Sequence, residues 1–565
     1  MKKKIAAILS GLLAISCFSG CNFSALLGGG NTSSDDGSSI TSDVEELVYE
    51  KLLDVQAKKT LAVGETVSYT VNKDLGDRNY MKLDFAADVN LYGEFVYSDL
   101  SDESKVVQEC FYLDAGDTQF KQFLDAYRPN GVGLFKKHLQ SITLTNVGSK
   151  AGAVTLNGVS VADRDIPEVD CEIYLERNGM KVGVDLALGG SITFIGRTDY
   201  QGKTVDEILT EDGNVKYGVD AKSEVGAKLL SSEVNLTNIY DPGRQIQQSY
   251  YAEVGGTDDK ATGANGYQRG YCFTDSDEGD WWSYNPVQAG DCADNPSQLI
   301  DYEVENNQIY VKARPLDWGK GWAEKWSTKY EQKARELGIS VDELGLLKGG
   351  RTAKAYMENH YSIKGGMLYV DNEFVCWEGF TNMDKIRMRS NEIPAFFPVH
   401  TLHTFTTYNG MAPWTGDTVN MFTHENPSSH GTGNQQSGSE DWFAWINDDN
   451  FGMGLYVPNT DYYTYSKINP NASIDVPQNI GALTCPTVSD PALLRNKPQP
   501  TSNYTSCYVF NACYTAPVVQ GTMKAYKPMN YQYVLAIDYV DTMRSNFYDI
   551  HDSGAITNKG LDDWR

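Results

Sequence analysis

Three observations predict an all-β fold. The 565 residues include 35 Tyr, 20 Phe and 10 Trp, side chains that suit a pleated, half-buried surface. Apolar and polar residues alternate with period two over short runs, and these runs are bounded by Gly-rich or Asn-Gly turns. Helical spacing stands out over a single stretch. A chain this long exceeds one ordinary core, so the expected architecture is an N-terminal β-sandwich followed by a larger antiparallel β unit, with a short helical insertion.

In chain order, Lys2, Lys3 and Lys4 precede an apolar run from Ile5 to Ile15 and then Phe18-Ser19-Gly20-Cys21. That run is too short to span a bilayer, and small residues directly before a cysteine suit lipoprotein processing. Residues 1–20 are therefore expected to be a cleaved signal peptide, and Cys21 the lipidated N-terminus of a surface protein on the outer face of the cell membrane. A short buried helix is the competing reading. It has to explain why residues 21–44 carry Gly28-Gly29-Gly30 and a Ser/Asp/Gly tract, which is the composition of a flexible linker.

Residues 45–168 form the expected sandwich module. Its clearest pattern is Ser141–Val147 followed by Ala153–Val161, two alternating runs joined at Gly148–Gly152 and expected to pair as a hairpin. The larger unit spans residues 169–565. It opens with Glu172–Arg177, Asn178-Gly179 and Met180–Leu186, the strongest short hairpin signal in the chain. Gly189-Gly190 then turns into Ser191-Ile192-Thr193, and Tyr361–Val375 repeats the pattern around Gly365-Gly366. The helical insertion is expected over residues 322–348. There Trp326, Tyr330, Ala334 and Leu337 fall at helical spacing, and Ser340 to Glu343 matches a capping box. It either covers a cleft or forms a surface excursion.

The strand grammar from Cys171 onward resembles the galactose-mutarotase-like supersandwich of carbohydrate-active proteins. That resemblance implies two large antiparallel sheets packed face to face and a sugar substrate. It rests on hairpin and turn pattern and not on a catalytic motif.

Charge and cysteine usage narrow the functions. The formal charge of −27 becomes about −30 once Lys2, Lys3 and Lys4 are removed. Phosphate backbones would be repelled, so no nucleic-acid partner is expected. Eight cysteines remain after Cys17 and Cys21, with no CxxC spacing; they are either disulfides, with Cys272–Cys292 and Cys507–Cys513 the first candidates, or buried thiols. No nucleotide-binding or nucleophile-elbow motif has a supporting context, so no cofactor is expected.

Two clusters carry candidate chemistry. In the first, Arg244 to Tyr251 alternate so that Arg244, Ile246, Gln248 and Tyr250 share one face and Gln245, Gln247, Ser249 and Tyr251 the other. With Trp281 and Trp282 nearby, Arg244, Gln247, Gln248 and Tyr250 are candidates for binding sugar hydroxyls and stacking on sugar rings. The same residues also suit a polar sheet edge with core tryptophans.

The second cluster runs from Arg387 to Trp445. Glu392 and Glu440 each lie among aromatic residues, which favour a protonated carboxyl; facing one cleft, they would form the carboxylate pair of glycoside hydrolysis. Salt bridges to Arg387 or Arg389 explain these acids without catalysis. Arg389, His400, His403, Trp414 and Trp442 are the further substrate-binding candidates.

No metal is assigned. His400 and His403 point to opposite strand faces, while His424 with His430, and Asp275 to Asp280, are weaker ligand patterns. The reading favoured by the sequence is a surface glycoside hydrolase acting on an oligo- or polysaccharide, attached to the membrane through its lipid alone. Its rivals are a polysaccharide lyase with a His or Tyr base, and a surface glycan-binding protein without catalysis.

Overall fold

The computed structural model describes residues 47–98, 106–124, 126, 138–166, 172–198, 235–237, 245–251, 253–254, 285–290, 296–317, 353–377, 386–387, 389–398, 402, 404–423, 434–447, 449–467 and 513–565. These residues form antiparallel sheets, with an α-helix at Val540–Ser553. Residues 322–348, the expected helical insertion, lie outside them, as do the signal peptide, Cys21 and the linker.

The N-terminal sandwich stacks a five-stranded sheet on a four-stranded one. The hairpin expected around Gly148–Gly152 does not form. His138–Asn146 pairs with Thr66–Asp74 and Leu91–Ser98, whereas Gly152–Ala162 pairs with Tyr80–Ala87 and Glu50–Leu53 in the other sheet. Asn146 makes the crossing: its amide donates to the carbonyls of Leu61 and Lys150, and its Oδ1 accepts the Gly148 N–H. The alternation was real, but the apolar faces of the two strands meet across the sandwich. Ile142 and Leu144 share one core with Val154 and Leu156.

The larger unit is built on a nine-stranded and a seven-stranded sheet. The two hairpins predicted from Asn178-Gly179 and Gly365-Gly366 both form. All four turn residues adopt positive φ (50°, 80°, 58° and 75°), the backbone that suits a tight hairpin to the twist of its strands.

The two large sheets meet face to face, the arrangement that the supersandwich resemblance implies. Across the layer Tyr250 stacks on Phe374 with centroids 4.0 Å apart, Phe405 stacks on Tyr465 at 4.3 Å, and Trp445 donates to Thr515. The nine-stranded sheet therefore has an inner face against its partner sheet and an outer face with two covers. The N-terminal sandwich lies over the strands Gln298–Glu305, Gln308–Arg314, Ala355–Lys364 and Met367–Cys376, and one apolar cluster joins Phe120 and Tyr112 of the sandwich to Ile300, Tyr356, Val375 and Trp377. The helix Val540–Ser553 covers the other end, burying Met543 and Phe547 against Trp442, Tyr456 and Ala536.

Candidate active-site face

The predicted site residues separate onto three surfaces. The first is the interior between the large sheets. Ile246, Gln248 and Tyr250 share a face, as alternation requires, but that face is the one between the sheets, and Gln245, Gln247 and Ser249 on the other face are buried as well. Gln248 Nε2 donates to Asn359 Oδ1 at 3.0 Å, Tyr250 Oη donates to Gln248 Oε1 at 2.6 Å, and Gln288 Nε2 reaches the same Asn359 oxygen at 2.7 Å. Asn359 in turn donates to Asn372 at 2.6 Å. Gln248 and Tyr250 are thus committed to a polar network inside the core, and their expected contact with sugar is corrected. Buried amides are tolerated because their partners lie inside the protein with them; left unpaired there they would be costly. The signal in the sequence was Asn359 and Asn372, polar residues at inward positions of strand faces that are otherwise apolar.

The second surface is the helix-covered outer face of the nine-stranded sheet, which holds Glu440, Trp442 and Trp414. Trp442 sits at an outward position of Trp442–Ile446 and is fully buried under the helix. The Glu440 carboxylate accepts from Arg544 Nη2 at 2.7 Å and Nε at 2.8 Å, from Trp442 Nε1 at 2.7 Å, from the Trp414 N–H at 2.8 Å and from Tyr548 Oη at 2.8 Å. Burial alone would raise its pKa. The hydrogen bonds from Arg544, Trp442, Trp414 and Tyr548 outweigh that and hold it below the usual carboxylate range.

Glu440 is therefore an ionised anchor and not the protonated acid its aromatic neighbours suggested. Arg544 and Tyr548, which decide this, come from the helix about a hundred residues further on. Trp414 caps the arrangement at φ 63°, its ring stacked on His551 with centroids 3.9 Å apart.

The third surface is the outer face of the seven-stranded sheet, on the opposite side of the sandwich. Glu392 lies in Arg389–Ala395, in register with Ser249 on one neighbour and Val518 on the other. Asn391 and Ile393 point inward, so Glu392 points out. Gln247 and Ser249 share this face but are buried in it, and Gln247 Oε1 accepts the Ala289 N–H at 2.9 Å, so the expected contact of Gln247 with sugar is corrected too. Tyr514 Oη donates to Glu392 Oε1, and the Tyr514 ring lies 5.1 Å from that of Phe397. Ser390 and Tyr462 exchange a hydroxyl hydrogen bond of 2.9 Å two residues along the same strand face.

Burial, and then the neighbouring Glu392 charge, raise the Tyr514 phenol well above its ordinary value; Tyr251 and Tyr462 act in the same direction. The phenol is therefore protonated at rest. A carboxylate touching such a phenol can take its proton when the phenolic oxygen attacks an electrophile, or can accept one from a bound hydroxyl or water. Sequence reasoning named Glu392 but missed Tyr514 and Tyr462, because Tyr514 comes from the neighbouring strand and Tyr462 from the strand beyond that, both placed only by long-range pairing.

Glu392 and Glu440 thus sit on opposite outer faces of a two-sheet sandwich and cannot flank one glycosidic bond. Arg389 heads the Glu392 strand. Arg244, Trp281, Trp282, His400 and His403 lie outside the described residues, as do His424, His430 and Asp275 to Asp280. Among the described residues no group of three or more His, Cys, Asp or Glu side chains is placed to hold a metal ion.

No family model matches the sequence, and no curated protein matches it. Similar solved structures include a galactose mutarotase-related enzyme from Lactobacillus acidophilus, at 7% identity over 65% of this chain and 97% of that one, with a TM-score of 0.32. An α-mannosidase from Enterococcus faecalis V583 follows at 9% identity, 88% of this chain, 43% of that one and a TM-score of 0.29. A family 11 carbohydrate-binding module from Clostridium thermocellum, solved with a β-1,3-1,4-mixed-linked tetrasaccharide, covers 23% of this chain and 94% of its own at 10% identity and a TM-score of 0.14. Likenesses at these scores are too slight to assign an activity.

Proposed function

We propose that this protein is an exported, lipid-anchored carbohydrate-active protein, a glycoside hydrolase whose reacting carboxylate is Glu392. The observation that carries the reading is the pairing of Glu392 with Tyr514 on an outward sheet face that also holds Ser390 and Tyr462. In this reading Tyr514 replaces the second carboxylate of the expected pair. Tyrosine is a known exception to the two-carboxylate rule, acting as the attacking group with an acid as its base. The hydrolase reading is favoured over the lyase one by charge, because a carboxylate at the reacting position repels a uronate where a lyase needs a cation. Trp281 and Trp282 are the proposed stacking platform, with each alanine variant weakening glycan binding by about 1–3 kcal/mol.

The test is a polysaccharide panel scored for new reducing ends and unsaturated-uronate absorbance together. The wild type is expected to yield reducing ends alone, with Glu392→Gln and Tyr514→Phe losing turnover while still binding. Unsaturated products would establish the lyase, and binding without any product the non-catalytic glycan receptor. Separately, Cys21→Ala is expected to release the protein from membranes or leave it unprocessed; unchanged membrane fractionation would remove the lipid anchor from the proposal.

A further inference from the structure

The two covers on the outer face of the nine-stranded sheet do not meet. The sandwich takes up Tyr356 and Val375, the helix Val540–Ser553 takes up Val534 and Ala536, and a stretch of sheet lies between them as a trough. Directly opposed residues of antiparallel strands share a face, so the register sets its floor. Lys312, Glu358 and Glu373 form one row across Gln308–Arg314, Ala355–Lys364 and Met367–Cys376. Tyr310, His360, Asp371 and Gln532 form the next, which reaches Met529–Tyr539. Tyr369 lies one row further on, where it packs with Met367 against the helix-covered cluster. At ordinary strand spacing these four strands make a floor about 14 Å wide.

This floor is recessed. Lys312 and Glu358 are long charged side chains at outward positions, yet only 15% and 17% of their side-chain surface is exposed. The sandwich supplies one wall, with the Lys312 ammonium 5.6 Å from the Phe120 ring and 4.5 Å from that of Tyr356. The polar groups on the floor hold one another in place. Lys312 bridges Glu358 at 2.6 Å, Tyr310 Oη donates to the other Glu358 oxygen at 2.7 Å, and Gln532 Nε2 donates to Asp371. The Tyr310 ring lies against the His360 imidazole with centroids 4.7 Å apart, and Lys364 Nζ sits 5.2 Å from the Tyr369 ring.

Rings held beside fixed acid and amide groups match the two sides of a sugar, its apolar ring face and its hydroxyls, and fixed side chains lose little freedom on binding. Charge narrows the ligand further. The carboxyl groups of Glu358, Asp371 and Glu373 outnumber Lys312 and Lys364, which disfavours a polyanion, and with Glu358 already engaged by Lys312 a polycation gains little. Hydroxyls, which both donate and accept, suit such a self-paired floor. We propose that this trough binds a neutral polysaccharide chain, as a second glycan surface separate from the Glu392 face on the other side of the sandwich.

The test is affinity electrophoresis of the full chain in gels holding a neutral polysaccharide (mixed-linkage glucan, galactomannan or amylopectin), a polyanion (polygalacturonate) or a polycation (chitosan). At least one neutral gel should slow the wild type. Tyr310→Ala should then bind about tenfold more weakly, and Asp371→Ala, at an exposed position where folding is not at stake, several-fold more weakly at an unchanged melting temperature. Asp371→Ala slowed as much as the wild type would overturn the proposal even where Tyr310→Ala proves unfolded. So would a wild type slowed by no neutral gel, or by polygalacturonate or chitosan alone. Glu392→Gln should be slowed like the wild type. Because the gels read binding and not turnover, a chain retained through the trough that releases no reducing ends would remove the hydrolase reading and leave this surface standing.

Discussion

Glu440 and Glu392 are both glutamates beside aromatic rings on the outer faces of the same two-sheet sandwich, yet they are held in opposite ways. Glu440 receives a guanidinium, an indole, a backbone amide and a phenol, and the helix Val540–Ser553 closes over it. Glu392 touches the phenol of Tyr514 on a face that also carries the hydroxyls of Ser390 and Tyr462. A carboxylate bound by a guanidinium and an indole has surrendered its basicity to the fold. One bound by a phenol keeps a proton within reach, because that donor can give it up. The environment that suits catalysis is set by what the donors can do, and the count of aromatic neighbours is silent on it.

The largest expected effect breaks the Glu440 side. Arg544→Ala leaves a buried carboxylate without its cation and should cost about 3–5 kcal/mol of stability in chemical denaturation. Acid should act on the same bond. Because Glu440 is depressed in the folded state, its contribution is present above the ordinary carboxylate range and lost as pH falls through its lowered value. Glu440→Gln should weaken that part of the acid dependence, visible as a shallower loss of melting temperature at low pH.

Next in size is the pair of isosteric variants that tests the comparison itself. Glu392→Gln should lower turnover by about 10²-fold or more with the melting temperature nearly unchanged, as loss of a proton-transfer group does. Glu440→Gln should do the reverse, losing stability while the folded fraction keeps its specific activity. Equal loss of turnover in both, at undiminished stability, would erase the distinction drawn here. The smallest effect concerns the turn Asn178-Gly179. Asn178→Ala forces a side chain without local hydrogen-bonding capacity into φ 50°, for about 1 kcal/mol, read as a shift of the thermal midpoint.

These contrasts also explain what the sequence could and could not disclose. The hairpins at Asn178-Gly179 and Gly365-Gly366 were legible because their geometry is written in the turn residues themselves. The false hairpin at Gly148–Gly152 had equally good alternation, but alternation states which residues share a face and says nothing of which strand lies alongside. Asn146, which sends the chain across to the other sheet, works through Leu61, far away in sequence. The same limit governed the site. Alternation grouped Ile246, Gln248 and Tyr250 correctly, while the choice of inner face depended on Asn359 and Phe374 from the opposite sheet. Glu392 could be named from its segment, whereas its partner Tyr514 could not.

The strand order of the nine-stranded sheet has a consequence for assembly. Met529–Tyr539 does not sit at an edge: it lies between Met367–Cys376 and Phe451–Tyr456, pairing Leu535 with both Leu368 and Leu455. The two halves of the sheet have no direct ladder to each other, so neither can seal the layer until this late strand has been inserted between them. Closing such long loops before any contact rewards them makes folding slow and dominated by contacts distant in sequence. Until then two unpaired strand edges stand open, each a template for pairing with another chain. A chain that crosses a membrane before folding would meet that hazard on the far side, and its yield should depend more on how this one strand is delivered than on the stability of the finished sheet.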